Sequence, residues 1–321
     1  MKAAIVSASG KTPVYGDFVE PQATEGLERI AVTASALSNL SKSRSTGAHY
    51  SAGSIFPAVA GVDGVGRNAS GQRVYFALPE APYGALAEYS LVDTRLCIAI
   101  PDGLDDVTAA ALANPGMSAW AALVERAHLQ AGETVLVHGA TGSAGQVAVK
   151  LARFLGAGKV IATGRNAEEL EALGADVCIP FSIDEQHPDG AKVFEEALVA
   201  EFSKGIDIVI DYLWGESARA IVIAVAKSVE DGHPVRFVQV GTASGEDEMA
   251  LPGAALRSSA IQLMGSGLKS VPMPKLLDAI RGVFEVARPA GLEVATRTMP
   301  LAAIAEGWAA PNKPRVVITI P

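Results

Sequence analysis

Three glycines, Gly139, Gly142 and Gly145, stand within VLVHGATGSAGQVAVKLA at positions 135–152. The run before them, TVLVH, is apolar and largely β-branched, as a buried strand requires. After them Ala144, Val147, Ala148, Leu151, Ala152 and Leu155 recur at helical spacing. A strand, a glycine turn and a helix in that order make a dinucleotide-binding unit. The spacing is GxxGxxG rather than GxGxxG, but the physics is shared. Gly142 lets a diphosphate approach the backbone, and Gly145 lets the helix pack close to the strand. The helix start offers unpaired N–H groups and partial positive charge. Gly139, Thr141, Gly142, Ser143, Ala144 and Gly145 are therefore candidate cofactor contacts. The alternative is a plain glycine-rich strand-to-helix turn.

The next strand, KVIATG, leads into Gly164-Arg165-Asn166. An NAD site places a carboxylate here to hold the ribose 2′-hydroxyl. Arg165 stands 20 residues after Gly145, and neither Asp nor Glu adjoins it. Arginine suits a 2′-phosphate, so NADPH is expected in preference to NADH; the alternative is a solvated surface charge. Ser118, Gly164, Asn166, Gly241 and Thr242 complete the candidate cofactor residues.

The elements that must position these residues change character along the chain. Up to about residue 116 the apolar segments are short and separated by Gly, Pro, Asp and Asn: KAAIV, RIAVTAS, QRVYFAL, LAEYSLV and RLCIAIP. This predicts a compact antiparallel β domain. From about residue 119 strands (TVLVH, KVIATG, DVCIP, IDIVID, RFVQVG, AIQLMG) alternate with helical stretches such as AEELEALG and KVFEEALVAEFS. That alternation predicts a doubly wound parallel sheet with helices on both faces, so the fold class is α/β. Helices are expected near 274–286 and 301–308. The last strand, RVVITI, is expected to return to the N-terminal β domain.

Composition narrows the partners. In 321 residues, 49% are hydrophobic and 19% charged, as in a globular protein, and the net charge is -9. A uniformly acidic surface repels phosphates, so neither nucleic acid nor an anionic membrane is an expected partner. Cys97 and Cys178 lie far apart, which excludes a disulfide scaffold or a cysteine-rich zinc lobe. The start, MKAAIVSASG, has one lysine and a short apolar run, unlike a secretory leader. The longest uninterrupted apolar run, about 220–226, is short of a bilayer span. A soluble, cytoplasmic protein is expected.

At this point the chain resembles the medium-chain dehydrogenase/reductase superfamily, and within it the zinc-independent quinone-oxidoreductase branch, over nearly its whole length. NPGMSAWAAL (114–123) looks like the family segment joining its two domains, AGETVLVHGATGSAGQVAVKLA like its cofactor fingerprint, GIDIVIDYLWG and RFVQVG like its fourth and fifth Rossmann strands, and YGALAEY like its GGYAEY segment. The resemblance implies a GroES-like, β-rich catalytic domain at 1–118 and 268–321 and a Rossmann domain at 119–267. It also implies hydride transfer from NADPH to a small-molecule quinone or α,β-unsaturated carbonyl in the cleft between the domains.

Departures from the family bear on mechanism. Zinc alcohol dehydrogenases carry ligands at positions occupied here by Ser38, Val62 and the neighbourhood of Pro115. These side chains cannot replace thiolate and imidazole, so no metal is expected. The quinone-reductase branch has Asn and Asp where this chain has Ser38 and Ser41, and the loop in GVGRNASGQRV is shorter than usual. Tyr50, in GAHY, resembles a tyrosine that related enoyl reductases hold near the substrate, displaced by one residue, and is the candidate proton donor; water and a surface-loop tyrosine are the alternatives. Asp63 reads as a turn residue or a polar orienter, His138 as a packed core histidine, His49 as an exposed loop residue, and Trp214 as core or cofactor border. An NADPH-binding redox sensor or structural protein without turnover is the other function class. A homodimer paired through the strand at 260–265 is expected, because its apolar Ile261, Leu263 and Met264 stand on a sheet edge.

Overall fold

The computed structural model describes residues 1–49 and 55–321. By contact density the chain divides into two compact units: residues 1–114, 280–287 and 293–321, and residues 115–279 with 288–292. Residues 115–118, 268–279 and 288–292 thus fall in the second unit, which differs from the division expected from sequence.

The first unit opens with β1 (Lys2–Val6), β2 (Val14–Asp17), β3 (Leu27–Ala36) and a short helix α1 (Asn39–Ser45). There follow β4 (Ala58–Val59), β5 (Asp63–Arg67), β6 (Arg73–Ala77), β7 (Tyr89–Asp93), β8 (Cys97–Ala99) and the start of α2 (Asp106–Trp120). β2, β1 and β4 form a small antiparallel sheet. β3 is the long central strand of the larger one, pairing with β5, β7 and the last strand of the chain. Its core joins Ile30, Val32, Leu37, Val74, Phe76, Leu86 and Ile318. The short turn between β5 and β6 closes through Asn68 and Gly71, which has φ +81°.

α2 runs without a break past Asn114 and Pro115 into a π-helical stretch, Ala121–Arg126. The helical run 106–126 is long and apolar enough to cross a bilayer, with 61% of its most apolar window buried in the protein. The change of pattern near residue 116 thus falls inside one continuous helix.

The second unit holds a six-stranded parallel sheet: β9 (Thr134–His138), β10 (Lys159–Gly164), β11 (Val177–Pro180), β12 (Ile208–Asp211), β13 (Pro234–Gln239) and β14 (Ala260–Gly265). The order is β11-β10-β9-β12-β13-β14, the doubly wound arrangement with its switch beside β9. The helices are α3 (Ser143–Phe154), α4 (Ala167–Glu171), α5 (Gly190–Phe202), α6 (Gly215–Ser228) and a short α7 (Gly253–Arg257) that the sequence did not announce. Leu136, Ile161, Phe194, Leu198, Phe202, Val209, Ile221 and Phe237 interlock at its centre.

α8 (Met273–Val286) precedes β15 (Thr296–Pro300), α9 (Ile304–Ala309) and β16 (Arg315–Thr319). β16 pairs antiparallel with β3, so the last strand does return to the first unit. β15, which sequence reading missed, runs parallel to β16.

Candidate cofactor site

The glycine turn forms as its spacing demands. Gly139 has φ +82°, a left-handed conformation that glycine adopts without strain. Gly142 is the N-cap of α3 and is exposed; a Cβ there would meet nothing closer than Gly139 O at 3.5 Å. Gly145 is buried, and a Cβ would lie 2.3 Å from Gly139 O and 2.6 Å from Ala140 Cα. Gln146 N donates the first intrahelical bond, to Gly142 O, so the N–H groups of Ser143, Ala144 and Gly145 have no intrahelical acceptor. Among the described residues no side chain caps them. They form a donor set around a position that a Cβ would encroach on, which suits a diphosphate.

The neighbouring strand ends bring the other expected residues to the same end of the sheet. Gly164 ends β10; a Cβ there would come within 3.1 Å of Thr141 Cγ2, so the two turns touch. Arg165 is exposed and lines an open hollow of about 400 Å³ with Phe181, His187, Asp189 and Phe194. Asn166 is the N-cap of α4, its side chain accepting from Glu169 N at 3.2 Å. Gly241 and Thr242 follow β13 in a segment latched to the end of β12: Val240 and Gly241 donate to Asp211 O, Ala243 to Tyr212 O and Ser244 to Leu213 O. Ser118 Oγ donates to Pro115 O at 3.0 Å. The nearby Tyr212 phenol is buried without a hydrogen bond of good geometry, and burial pushes it up, with Ser118 acting against that shift.

His138, at the end of β9, is fully buried between Phe181 and Phe194, with Thr163 Oγ1 2.6 Å from Nδ1 and Ser217 Oγ 2.9 Å from Nε2. Ser217 spends its proton on Trp214 O, so Nε2 donates to Ser217 and Thr163 donates to Nδ1. Burial pushes the imidazole down to about 3, which makes it a neutral structural link. Sequence reading missed the turn after β12. The Asp211 carboxyl is buried there beside the backbone N–H groups of Leu213 and Trp214, and burial pushes it up to about 7 against their pull. The DYLWG string carries no signal for this beyond the Asp itself.

In the first unit, Ser38 caps α1 by accepting from Ser41 N at 3.0 Å, while the buried Ser41 hydroxyl has no partner among the described residues. Val62 is buried and Pro115 sits inside α2. Among the described residues no three His, Cys, Asp or Glu side chains converge as a metal site. Asp63 is not a turn residue: it opens β5 and is 6% exposed. Tyr75 Oη donates to its Oδ2 at 3.0 Å and buried Arg315 lies near; burial nonetheless pushes the carboxyl up to about 6. His49 is half-buried, its imidazole lowered by desolvation and by Arg44, where an exposed loop was expected. Cys97 and Cys178 are half-buried, and burial pushes the Cys97 thiol up to about 12. Tyr50, the candidate proton donor, lies outside the described residues.

The second unit is a doubly wound parallel sheet with a glycine turn at its switch point, the class of fold that binds dinucleotides, in one chain with a β-rich unit that takes back the last strand. No family model matches the chain. It is 28% identical to a probable NADPH-dependent quinone reductase, tdiC, of Emericella nidulans, over 96% of both chains. Over 50% of its length it is 32% identical to a mycocerosic acid synthase-like polyketide synthase of Mycobacterium tuberculosis, of which it spans 7%. It superposes on the quinone oxidoreductase of Thermus thermophilus, solved also in complex with NADPH, with a TM-score of 0.78 and 25% identity over 99% of this chain and 100% of that one. These likenesses support the medium-chain dehydrogenase/reductase superfamily, in its quinone-oxidoreductase-like branch, as the group the chain is similar to.

Proposed function

We propose that this oxidoreductase uses NADPH and passes hydride to a quinone or an α,β-unsaturated carbonyl, as a cytoplasmic homodimer without zinc. The observation that carries the reading is the pairing of the open α3 N-terminus at Gly142 with exposed Arg165 at the end of the next strand. The N–H groups of Ser143, Ala144 and Gly145 would hold the diphosphate, and Gly142 would leave it room. Arg165 would pair with the 2′-phosphate. Gly164 and Asn166 would border the adenosine half, and Ser118, Gly241 and Thr242 would border the nicotinamide half. When bound, the nicotinamide supplies the hydride. The β-rich unit would take the acceptor, which delocalises the incoming charge and so needs no Lewis acid; Ser38 and Val62 offer none of the ligands a zinc ion would need. Tyr50 or a water would supply the proton. The names of the relatives support NADPH and the quinone.

Arg165→Glu tests the cofactor assignment. By fluorescence titration the unmodified protein should bind NADPH more tightly than NADH, and the variant should reverse the order, because a carboxylate repels the 2′-phosphate. Equal affinities in the unmodified protein would refute it. An NADPH-consumption screen with small quinones, enones and enals tests the acceptor; tight NADPH binding with no turnover would instead favour a redox sensor or a structural binder.

A further inference from the structure

We infer that Asp211 is a positioning residue for the cofactor, clamping a strained turn against the glycine turn of β9–α3; this rests on the reading that the glycine turn binds a dinucleotide. Asp211 ends β12 and pairs in register with His138 of β9 on one side and Gln239 of β13 on the other. Its side chain is fully buried. Oδ1 accepts from Leu213 N at 2.9 Å and Trp214 N at 3.1 Å, and Oδ2 from Trp214 N at 3.2 Å. The residue so held is in an unusual state: Trp214 has φ 66° and ψ -167°, a region that residues other than glycine almost never occupy. Its carbonyl is held from the other side by Ser217 Oγ at 3.3 Å, itself bonded to His138.

Two consequences reach the cofactor site. The Leu213 side chain is pressed over the first glycine, its Cγ 2.9 Å from where a Cβ of residue 139 would stand. The Tyr212 and Leu213 carbonyls accept from Ala243 and Ser244, which fixes the segment carrying Gly241 and Thr242. One carboxylate thus holds a backbone shape on which both the glycine turn and the segment after β13 are seated. Without it Trp214 relaxes toward negative φ, taking Leu213 off Gly139 and loosening the 243–244 latch. An asparagine is not equivalent: its amide NH2 faces the Trp214 N–H where Oδ2 now accepts. Arg165, at the end of β10 on the far side of β9, shares none of these bonds.

The test compares Asp211→Asn, Trp214→Gly and the double variant with the unmodified protein, titrated with NADPH and with 2′,5′-ADP, which carries the 2′-phosphate but lacks the diphosphate and nicotinamide. Asp211→Asn should weaken NADPH about tenfold or more, with 2′,5′-ADP within about twofold. Adding Trp214→Gly should restore most of the NADPH affinity, because glycine takes the turn conformation unaided; Trp214→Ala, which keeps the strain, should not. Unchanged NADPH affinity in Asp211→Asn, or equal loss of both ligands with no rescue by glycine, overturns the clamp. If Asp211→Asn does not fold, glycine at 214 should restore folding; a double variant no better folded overturns it too. If the unmodified protein binds neither ligand, the dinucleotide reading itself fails, and the clamp falls with it only in that case.

Discussion

Two glycines three residues apart in the same turn should fail in different ways when given a methyl group. At Gly145 the new Cβ would lie 2.3 Å from Gly139 O and 2.6 Å from Ala140 Cα, both backbone atoms of the turn that α3 rests on. Carbon contacts settle near 3.5 Å, so α3 must retreat by about 1 Å. Overpacking of this kind costs about 1–3 kcal/mol, of which the helix preference of alanine over glycine offsets at most about 1 kcal/mol. For a unit of this size the net loss lowers the melting temperature by roughly 2–8 °C. At Gly142 the same methyl meets nothing closer than 3.5 Å, and the φ of -71° suits alanine. Gly142→Ala should therefore lose only the N-cap preference for glycine over alanine, less than about 1 kcal/mol.

Binding separates the pair further. The Gly142 methyl projects where the diphosphate would come against the α3 N–H groups, so NADPH affinity should fall tenfold or more, about 1.4 kcal/mol. Thermal melts with and without saturating NADPH measure both effects, since the ligand-induced rise reports affinity. Gly142→Ala should lose the rise with little change in its apo melting point; Gly145→Ala should show the larger loss of apo stability. If Gly145→Ala melts with the unmodified protein, the close approach of α3 to the turn is not a real constraint. If Gly142→Ala keeps the full NADPH-induced rise, the phosphates do not lie at that N-terminus.

Acid stability should carry the mark of His138: its folded value, about 3, lies below its unfolded one, so it contributes stability that is present above about pH 6.5 and lost as pH falls toward 3. His138→Gln should flatten the pH dependence of urea unfolding in that window, and an unchanged slope would mean that the imidazole is hydrated. Gln262→Pro in β14, an edge strand with Leu263 38% exposed, should convert a light-scattering dimer to monomer; a dimer indifferent to it puts the interface elsewhere. Purified protein should hold no stoichiometric zinc, and chelators should leave turnover intact; one firmly bound zinc per chain would refute this.

The parallel sheet was legible because every strand of it is a short apolar run with a helix or a loop on either side, and period and composition are local properties. β15 was not: in TRTMP only Met299 is buried, so no alternation marks it, and its partner β16 comes after an intervening helix. The two-residue β4 is likewise defined by its pairing with β1. The glycine turn and Arg165 could be named because their chemistry is written in neighbouring letters. Asp63 could not be placed, since its environment is set by Tyr75 across a hairpin and by Arg315 near the other end of the chain. The strained turn was invisible for a related reason. Nothing in DYLWG says that Trp214 takes a glycine-like conformation; only the fold of the carboxylate back onto two N–H groups does.

The strand order explains why these distant segments come to one end of the sheet. β9 lies between β10 and β12, and the chain crosses from one half of the sheet to the other after β11. Connections leaving β9 and β12 then depart toward opposite faces and leave a crevice at their carboxyl ends, where the glycine turn and the Asp211 turn meet. Gly139 must be glycine on two counts: its φ is left-handed, and Leu213 from the adjacent strand end occupies the space of its missing side chain. Gly139 is therefore a packing position for the neighbouring turn as well as a candidate cofactor contact. Of the three, Gly142 is the exposed one, and a Cβ there would meet nothing closer than 3.5 Å, so the open side of the turn lies at Gly142.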